Sequence, residues 1–208
     1  MTPSTLLPRA FYERHPSIVA PEMLGKLVVR RYRRTPLIGR ITEVEAYLGV
    51  EDKASHASRV KSAFNAVLFG PAGYTDVYLI YGLHHCLNVS CHPARQSGGV
   101  LIRALQPVAG ISTMARLRKV PANAPAHRIS GGPGRVCQAL GITRLNAHGL
   151  DVATHSSAIQ IVDDGWNPPG IRVTKRIGIR KSADLALRFL AANEEVELAS
   201  AGSPQGAR

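Results

Sequence analysis

Short apolar runs rich in branched and aromatic residues recur along the chain and are separated by short turns. Such runs are typical of β-strands, and six are predicted, over residues 26–32, 37–48, 77–81, 87–91, 100–105 and 159–162. Helical patterns occupy residues 17–24, 110–119 and 133–140, and glycine follows the first and the third. Because consecutive strands are joined by short connections, the pattern predicts a mostly antiparallel sheet and not a parallel βαβ fold.

One α+β domain over residues 1–191 accounts for these elements, with short helices flanking the sheet. The segment 121–132 (PANAPAHRISGG) is polar and predicts a loop that is too short to separate two domains. Residues 192–208 hold three glutamates and one arginine and predict a flexible tail.

Length and composition restrict the class of protein. A chain of 208 residues is enough for one well-buried core, and 45 % of its residues are hydrophobic. It has no run of about 18 apolar residues to span a membrane, and its first residues (MTPSTLLPRAF) lack the pattern of a signal peptide. Its three cysteines, an odd number, argue for a reducing compartment. We therefore expect a cytoplasmic protein with no membrane partner, associated with the nucleoid if the source is bacterial.

Charge is unevenly distributed along the chain. Lysine and arginine number 26 against 14 acids, a net charge of +12. From Val77 to Leu150 there is no acid at all, but there are eight basic residues. A long acid-free stretch favours a surface that binds a polyanion such as nucleic acid. Charge alone leaves an ordinary basic protein equally open.

Two carboxylates lie within a strand-like segment, ITEVEAYLG at residues 41–49. Side chains alternate between the faces of a strand, so Glu43, Glu45 and Tyr47 share one face and the apolar residues between them share the other. A buried unpaired carboxylate is costly, so the arrangement indicates an ion pair or a catalytic site. On pattern alone, an exposed face with ordinary charges is the favoured alternative.

A second candidate cluster lies in TDVYLIYGLHHCLN, at residues 75–88. Tyr81 precedes Gly82 at the predicted hairpin tip, where a large apolar ring would stand in water. Proteins that kink DNA insert such residues between bases, although Tyr78 and Tyr81 could equally fill the sheet. Asn88 and Arg103 are lone polar residues in apolar strands, where each is a hydrogen-bonded structural residue or part of a site.

Two further motifs resemble parts of metal and phosphate sites. The residues that crowd together near the hairpin are potential zinc ligands: His84, His85, Cys86, Cys91 and His92. Their spacing matches no common zinc motif, so we expect no metal. The sequence GGPGR at residues 131–135 lacks the ending of a phosphate-binding loop and predicts a helix start that could contact a DNA phosphate.

Several of these segments, in this order and spacing, resemble the alkyladenine (3-methyladenine) DNA glycosylase family. The segments are EVEAYLGVEDKASH, VYLIYGLHHCLNVS, GVLIRALQP and GGPGRVCQALGI, and the resemblance runs from about Arg9 to Phe189. It implies a curved sheet with a protruding hairpin that enters the DNA minor groove. It also implies an enzyme that flips damaged purines out of duplex DNA and hydrolyses the bond from base to sugar.

The resemblance assigns roles to seven residues. Glu45 matches the catalytic carboxylate that activates water, and Arg103 the arginine that helps to place that water and the backbone. Tyr81 matches the wedge that fills the gap in the duplex. The remaining four match residues that sandwich, contact or discriminate the flipped base: Tyr47, His56, Tyr78 and Asn88.

Further expectations follow from the residues around Glu45. No lysine lies beside it to form a Schiff base, so we expect a monofunctional hydrolase that leaves an abasic site without nicking the strand. The expected partner is double-stranded DNA with damaged purines, bound by a monomer without a cofactor. Glu43 is expected to be a structural partner of Arg40 or of another arginine.

The chain departs from the family pattern at His84 and at residues 186–187 (AL), where the resemblance leads us to expect other residues. Two rival functions also remain open. One is a catalytically silent nucleic-acid-binding protein of the same fold. The other is a metal-dependent nuclease that uses the His and Cys cluster.

Overall fold

The sheet grows outward from one long central strand. The computed structural model describes residues 4–192. Its strands are β1 (Thr5–Leu6), β2 (Leu27–Tyr32), β3 (Thr35–Tyr47), β4 (Thr75–Ile80), β5 (His84–Ser90), β6 (Gly99–Ala109), β7 (Ile159–Asp163), β8 (Gly170–Thr174) and β9 (Arg188–Ala192). Its α-helices are α1 (Arg9–Tyr12), α2 (Pro16–Met23), α3 (Ile111–Leu117), α4 (Ala126–Ser130), α5 (Pro133–Ala139) and α6 (Arg144–Ala147). Two 3-10 helices, His56–Ser58 and Ala66–Phe69, lie between β3 and β4.

All strand pairs are antiparallel, in the order β1-β7-β2-β3-β6-β5-β4. The central strand β3 pairs along one edge with β6, while its other edge is shared by β2 and by β9, which also pairs with β8. The sheet curls into a half-barrel, so the predicted α+β fold with a curved antiparallel sheet is confirmed.

The register between β3 and β6 shifts on both sides of Glu43. Such bulges increase the local twist and re-aim side chains, and they are frequent beside active sites. Here the shift places Arg103 of β6 within reach of both glutamates of β3.

The core lies between the sheet and the helices, with α2 against β3 and α5 against β5 and β6. Its fully buried large side chains include Met23, Leu87, Ile102, Leu140 and Ile161. Each such side chain contributes about 1.5–3 kcal/mol by leaving water. Within residues 4–192, no helix is long and apolar enough to cross a bilayer.

The six predicted strands and three predicted helices are present, with shifted ends. β6 runs on to Ala109 through Pro107, which lies opposite Gly39 next to a register shift that tolerates a residue without an N–H. The prediction of a loop over 121–132 was wrong in part, because α4 lies inside it and packs on β6. The predicted tail, residues 192–208, lies outside the described residues except for Ala192, which ends β9.

Candidate active site

Glu45 is fully buried, and donors hold both of its carboxylate oxygens. The Tyr47 hydroxyl donates to Oε2 at 2.9 Å, and the backbone N–H of Ile177 donates to Oε1 at 2.8 Å. The Arg103 Nη1 atom lies 3.2 Å from Oε1. A charged group in this position is stable only because the arginine and the hydrogen bonds replace its hydration shell.

Arg103 connects the two glutamates of β3. Its Nε donates to Glu43 Oε1 at 2.7 Å, and Arg188 of β9 donates to the same oxygen at 2.6 Å. Burial acts to raise the pKa of Glu43, but the hydrogen bonds from Arg188 and Arg103 outweigh it and lower the pKa. Glu43 is therefore an ionised structural partner of two arginines. Of the two expected alternatives, Arg40 or another arginine, the second is found, since Arg40 binds Asp164 instead.

Tyr47 remains a neutral phenol that can donate to Glu45. Burial, and then the negative charge of Glu45, raise the pKa of Tyr47 far above its usual value. Its ring is covered by the guanidinium of Arg176, whose Cζ lies 4.7 Å from the ring centroid. Contacts of this kind orient the ring as well as attract the cation.

A cavity of about 570 Å³, here called the aromatic cavity, opens above Glu45. Six of the seven residues that the resemblance singles out line it: Tyr47, His56, Tyr78, Tyr81, Asn88 and Arg103. Glu45 itself lies beneath its wall, bonded to two lining residues. The volume falls in the range of small-molecule sites and can accept a purine.

The His56 and Tyr78 rings meet edge to face in this cavity, with centroids 4.4 Å apart. Tyr78 is buried and belongs to a small apolar cluster against which Tyr47 also packs. Burial, and then the neighbouring Arg59, lower the pKa of His56, so its imidazole is neutral near pH 7. A neutral ring can stack on a base and offers one donor and one acceptor.

Tyr81 lies at the tip of the β4–β5 hairpin. The predicted strand included this residue, but β4 ends one residue earlier, at Ile80. Tyr81 is 80 % exposed and has a φ of 53°, followed by Gly82 at 68°. Two consecutive left-handed residues are the conformation of a tight hairpin turn, which explains the glycine. Leu83 is exposed beside it. The hairpin thus presents bare apolar side chains to solvent.

Three further features of the sequence are the basic residues, the potential metal ligands and the GGPGR segment. Five basic residues of the acid-free stretch are exposed: Arg95, Arg116, Lys119, Arg128 and Arg135. Cys86 and Cys91 are buried free thiols, and the side chains of residues 4–192 form no group of three potential metal ligands. The GGPGR segment does start a helix, but the N–H of Gly132 is used by the Arg103 carbonyl at 2.8 Å.

Comparison with known proteins identifies the family. A family model described as "Methylpurine-DNA glycosylase (MPG)" matches residues 10–195. The chain belongs to the methylpurine-DNA glycosylase family. The resemblance drawn from the sequence motifs is therefore confirmed, and the protein is a DNA glycosylase, a hydrolase that acts on N-glycosyl bonds.

Relatives of this glycosylase match it over most of their length. A Koribacter versatilis protein named "Putative 3-methyladenine DNA glycosylase" is 52 % identical over 186 residues, 89 % of either chain. A protein of the same name from Burkholderia cenocepacia is 42 % identical over 90 % of this chain and 88 % of its own. One from Methanocella arvoryzae is 42 % identical over 88 % of this chain and 89 % of its own.

The ion pair that supports the candidate site was not predicted from the sequence. Arg176 and Asp52, both buried, form a two-pronged ion pair, with Nη2 to Oδ1 at 2.9 Å. Arg176 directly precedes Ile177, the backbone donor to Glu45, so the pair fixes that donor in place. Both residues lie in sequence motifs that were noticed, Asp52 within EDKASH and Arg176 at the start of RIGI. Their pairing was not predicted, because sequence spacing does not pair residues 124 positions apart.

Proposed function

We propose that this glycosylase flips alkylated or deaminated purines of the 3-methyladenine class out of duplex DNA into the aromatic cavity and hydrolyses the bond to the sugar. Further members of the class are 7-methylguanine, hypoxanthine and ethenoadenine. The observation that carries the proposal is the buried carboxylate of Glu45, which is held by Arg103 and Tyr47 under a cavity lined with aromatic rings.

In the proposed reaction, Glu45 acts as the general base for a water molecule at the cavity floor. The water oxygen bonds to the sugar C1′, its proton passes to Glu45, and the electrons of the C1′–N bond move to the purine. The sugar develops oxocarbenium character, which a nearby carboxylate also stabilises by its charge. A cationic alkylated purine leaves as a neutral base and needs no strong general acid, whereas a neutral lesion such as hypoxanthine leaves as an anion that takes a proton from water.

The cavity walls support selection of damaged bases. Rings of Tyr47, Tyr78 and His56 can stack on the base, and a cationic base gains about 0.5–2 kcal/mol from a tyrosine face. Arg103, in this proposal, keeps the carboxylate oriented. We further infer that the protein acts as a monomer, because one wedge on one duplex imposes no symmetry.

A panel of single-lesion duplexes tests the proposal. The purified protein should release 3-methyladenine without any metal ion, and a chelator should not change the rate. Strand breakage should appear only after alkaline treatment, because the product is an abasic site. Binding to every duplex with no base released would favour a catalytically silent binding protein. Loss of activity on chelation would favour the metal-dependent nuclease.

Tyr81→Ala should impair base flipping without affecting the fold. We expect release from a paired duplex to slow by about 10- to 100-fold, because the unstacked gap loses its filler. The free energy of unfolding should change by less than about 0.5 kcal/mol, since the ring is exposed. Single-turnover release and urea unfolding measure the two effects.

The matched control is Leu145→Ala, which removes another exposed apolar side chain, on α6 and not at the hairpin tip. It should release base at the wild-type rate. Equal rates for Tyr81→Ala and the wild type on a paired duplex would remove Tyr81 from the mechanism.

A further inference from the structure

Asp76 lies directly behind the cavity wall and takes no part in the proposed hydrolysis. It pairs with Asn88 across the β4–β5 ladder, on the face that also carries Tyr78 and Cys86. Asp76 is 1 % exposed and does not line the aromatic cavity, whereas Asn88 does. The Asn88 Nδ2 group donates to Asp76 Oδ2 at 3.4 Å.

Each of these two side chains keeps one polar atom without a partner. Among residues 4–192, neither Asn88 Oδ1 nor Asp76 Oδ1 accepts a hydrogen bond, although both atoms are buried. A buried acceptor left unpaired is unfavourable, and such atoms are rare unless a ligand or water completes them. The free oxygen of Asn88 belongs to a residue of the cavity wall, where a base edge can supply the missing donor.

The other groups that face Asp76 come from α6 and the segment after it. His148 Nδ1 lies 3.6 Å from Asp76 Oδ1, but the same nitrogen accepts the Val77 backbone N–H at 3.2 Å, so it carries no proton to donate. Burial, and then Arg144, lower the pKa of His148 and keep it neutral. Arg144 donates to the Val77 carbonyl and contacts His148 Nδ1, not the carboxylate. Asp76 therefore has Asn88 as its hydrogen-bonding partner within the described residues.

We propose that Asp76 is a positioning residue that decides which end of the Asn88 amide faces the flipped base. An ionised carboxylate only accepts hydrogen bonds, so it draws the amide NH₂ group toward itself and leaves the carbonyl toward the cavity. A protonated Asp76 can donate to the carbonyl, which reverses the amide and turns its NH₂ group toward the base. The proposal rests on the proposed function of the cavity.

The reversal falls within an accessible pH range. Burial raises the pKa of Asp76 to about 6, against the opposing effects of Asn88 and Arg144. Above that pH the cavity offers an acceptor, and below it a donor. Hypoxanthine carries an N1–H donor on an edge where ethenoadenine has none. The ratio of hypoxanthine release to ethenoadenine release should therefore rise about three- to tenfold between pH 5 and pH 7.5, the effect of one hydrogen bond.

The first test is direct and needs no substrate. The side-chain ¹H–¹⁵N signals of Asn88, assigned by their loss in Asn88→Ser, should move with pH around a midpoint near 6. In Asp76→Asn they should stay constant, whereas in His148→Gln the midpoint should persist. Signals that do not move in the wild type would overturn the proposal. Movement that disappears in His148→Gln would assign it to the histidine and overturn the proposal as well.

The second test is the release ratio, in which effects of pH on the shared chemistry cancel. Asp76→Asn should give a ratio that does not change with pH. A constant ratio in the wild type, despite an Asn88 titration, would overturn the role in specificity. A wild-type protein that released no base at any pH would count against the proposed function, while the spectra would still judge Asp76.

Discussion

Glu45→Gln is expected to slow base release by about 100- to 10,000-fold, the range typical of losing a general base. Glutamine keeps the shape: its carbonyl oxygen can accept from the Ile177 N–H and its NH₂ group can donate to the Tyr47 hydroxyl, so the site should stay assembled. It has neither the basicity to take a proton from water nor the charge to stabilise an oxocarbenium-like sugar. Single-turnover release of 3-methyladenine measures the loss, and fluorescence anisotropy on an abasic duplex should give wild-type affinity.

Glu43→Gln is the matched control for this result. Glu43 lies two residues away on the same strand face and binds the same arginine, but its other partner is Arg188, which does not line the cavity. Its loss should reduce activity far less than the loss of Glu45. Wild-type release by Glu45→Gln would refute the role of that carboxylate, and equal losses in the two variants would show that the pair acts as one unit.

Asp52→Asn is expected to lower the free energy of unfolding by about 3–5 kcal/mol, because it leaves the buried guanidinium of Arg176 without its counter-charge. Activity should fall too, since Arg176 also covers Tyr47 and precedes the backbone donor to Glu45. Urea unfolding at pH 7 measures the stability. The control is Arg14→Gln, which breaks a partly exposed ion pair with Glu22 and should cost less than about 1 kcal/mol.

The stabilising effect of Asp52 should also depend on pH. Burial acts to raise its pKa, but hydrogen bonds from Arg176 and from two backbone N–H groups outweigh it and lower the pKa. A carboxyl with a lowered folded pKa contributes its full stability above the unfolded value of about 3.9 and loses it as pH falls through the folded value. The difference between wild type and Asp52→Asn should therefore shrink below about pH 4. A variant as stable as the wild type at pH 7 would contradict the argument.

Local patterns were sufficient to predict six of the nine described strands and the shared face of Glu43, Glu45 and Tyr47, because alternation along a strand needs no information from elsewhere. They could not supply Arg188, which reaches Glu43 only because β9 pairs with β3. β8 was missed because its side chains are largely exposed and follow two prolines. The helix α4 was missed because packing and a hydrogen bond from Arg118 stabilise it, not its composition.

The same limit applies to the site. Motif resemblance named the residues that line the cavity, and the structure brings them together. It did not name Asp52 and Arg176, whose contribution depends on contact between two segments that are 124 residues apart in the sequence. Asp76 carried no signal of its own beyond being an acid next to a predicted strand, since its burial behind Asn88 is a tertiary property.

The site combines a rigid strand, β3, with a more mobile hairpin, β4–β5, because the two lie at different places in the sheet. This strand has partners along both edges, whereas β4 pairs only with β5 among the described strands. Opening β3 would break the ladders to three neighbours, so its amides should exchange with solvent only when the whole domain unfolds. The outer half of the β4–β5 hairpin, beyond the residues of β5 that pair with β6, can open at a far smaller free energy. Thermal fluctuation can thus reshape the element that carries Tyr81 while the carboxylate on β3 keeps its place.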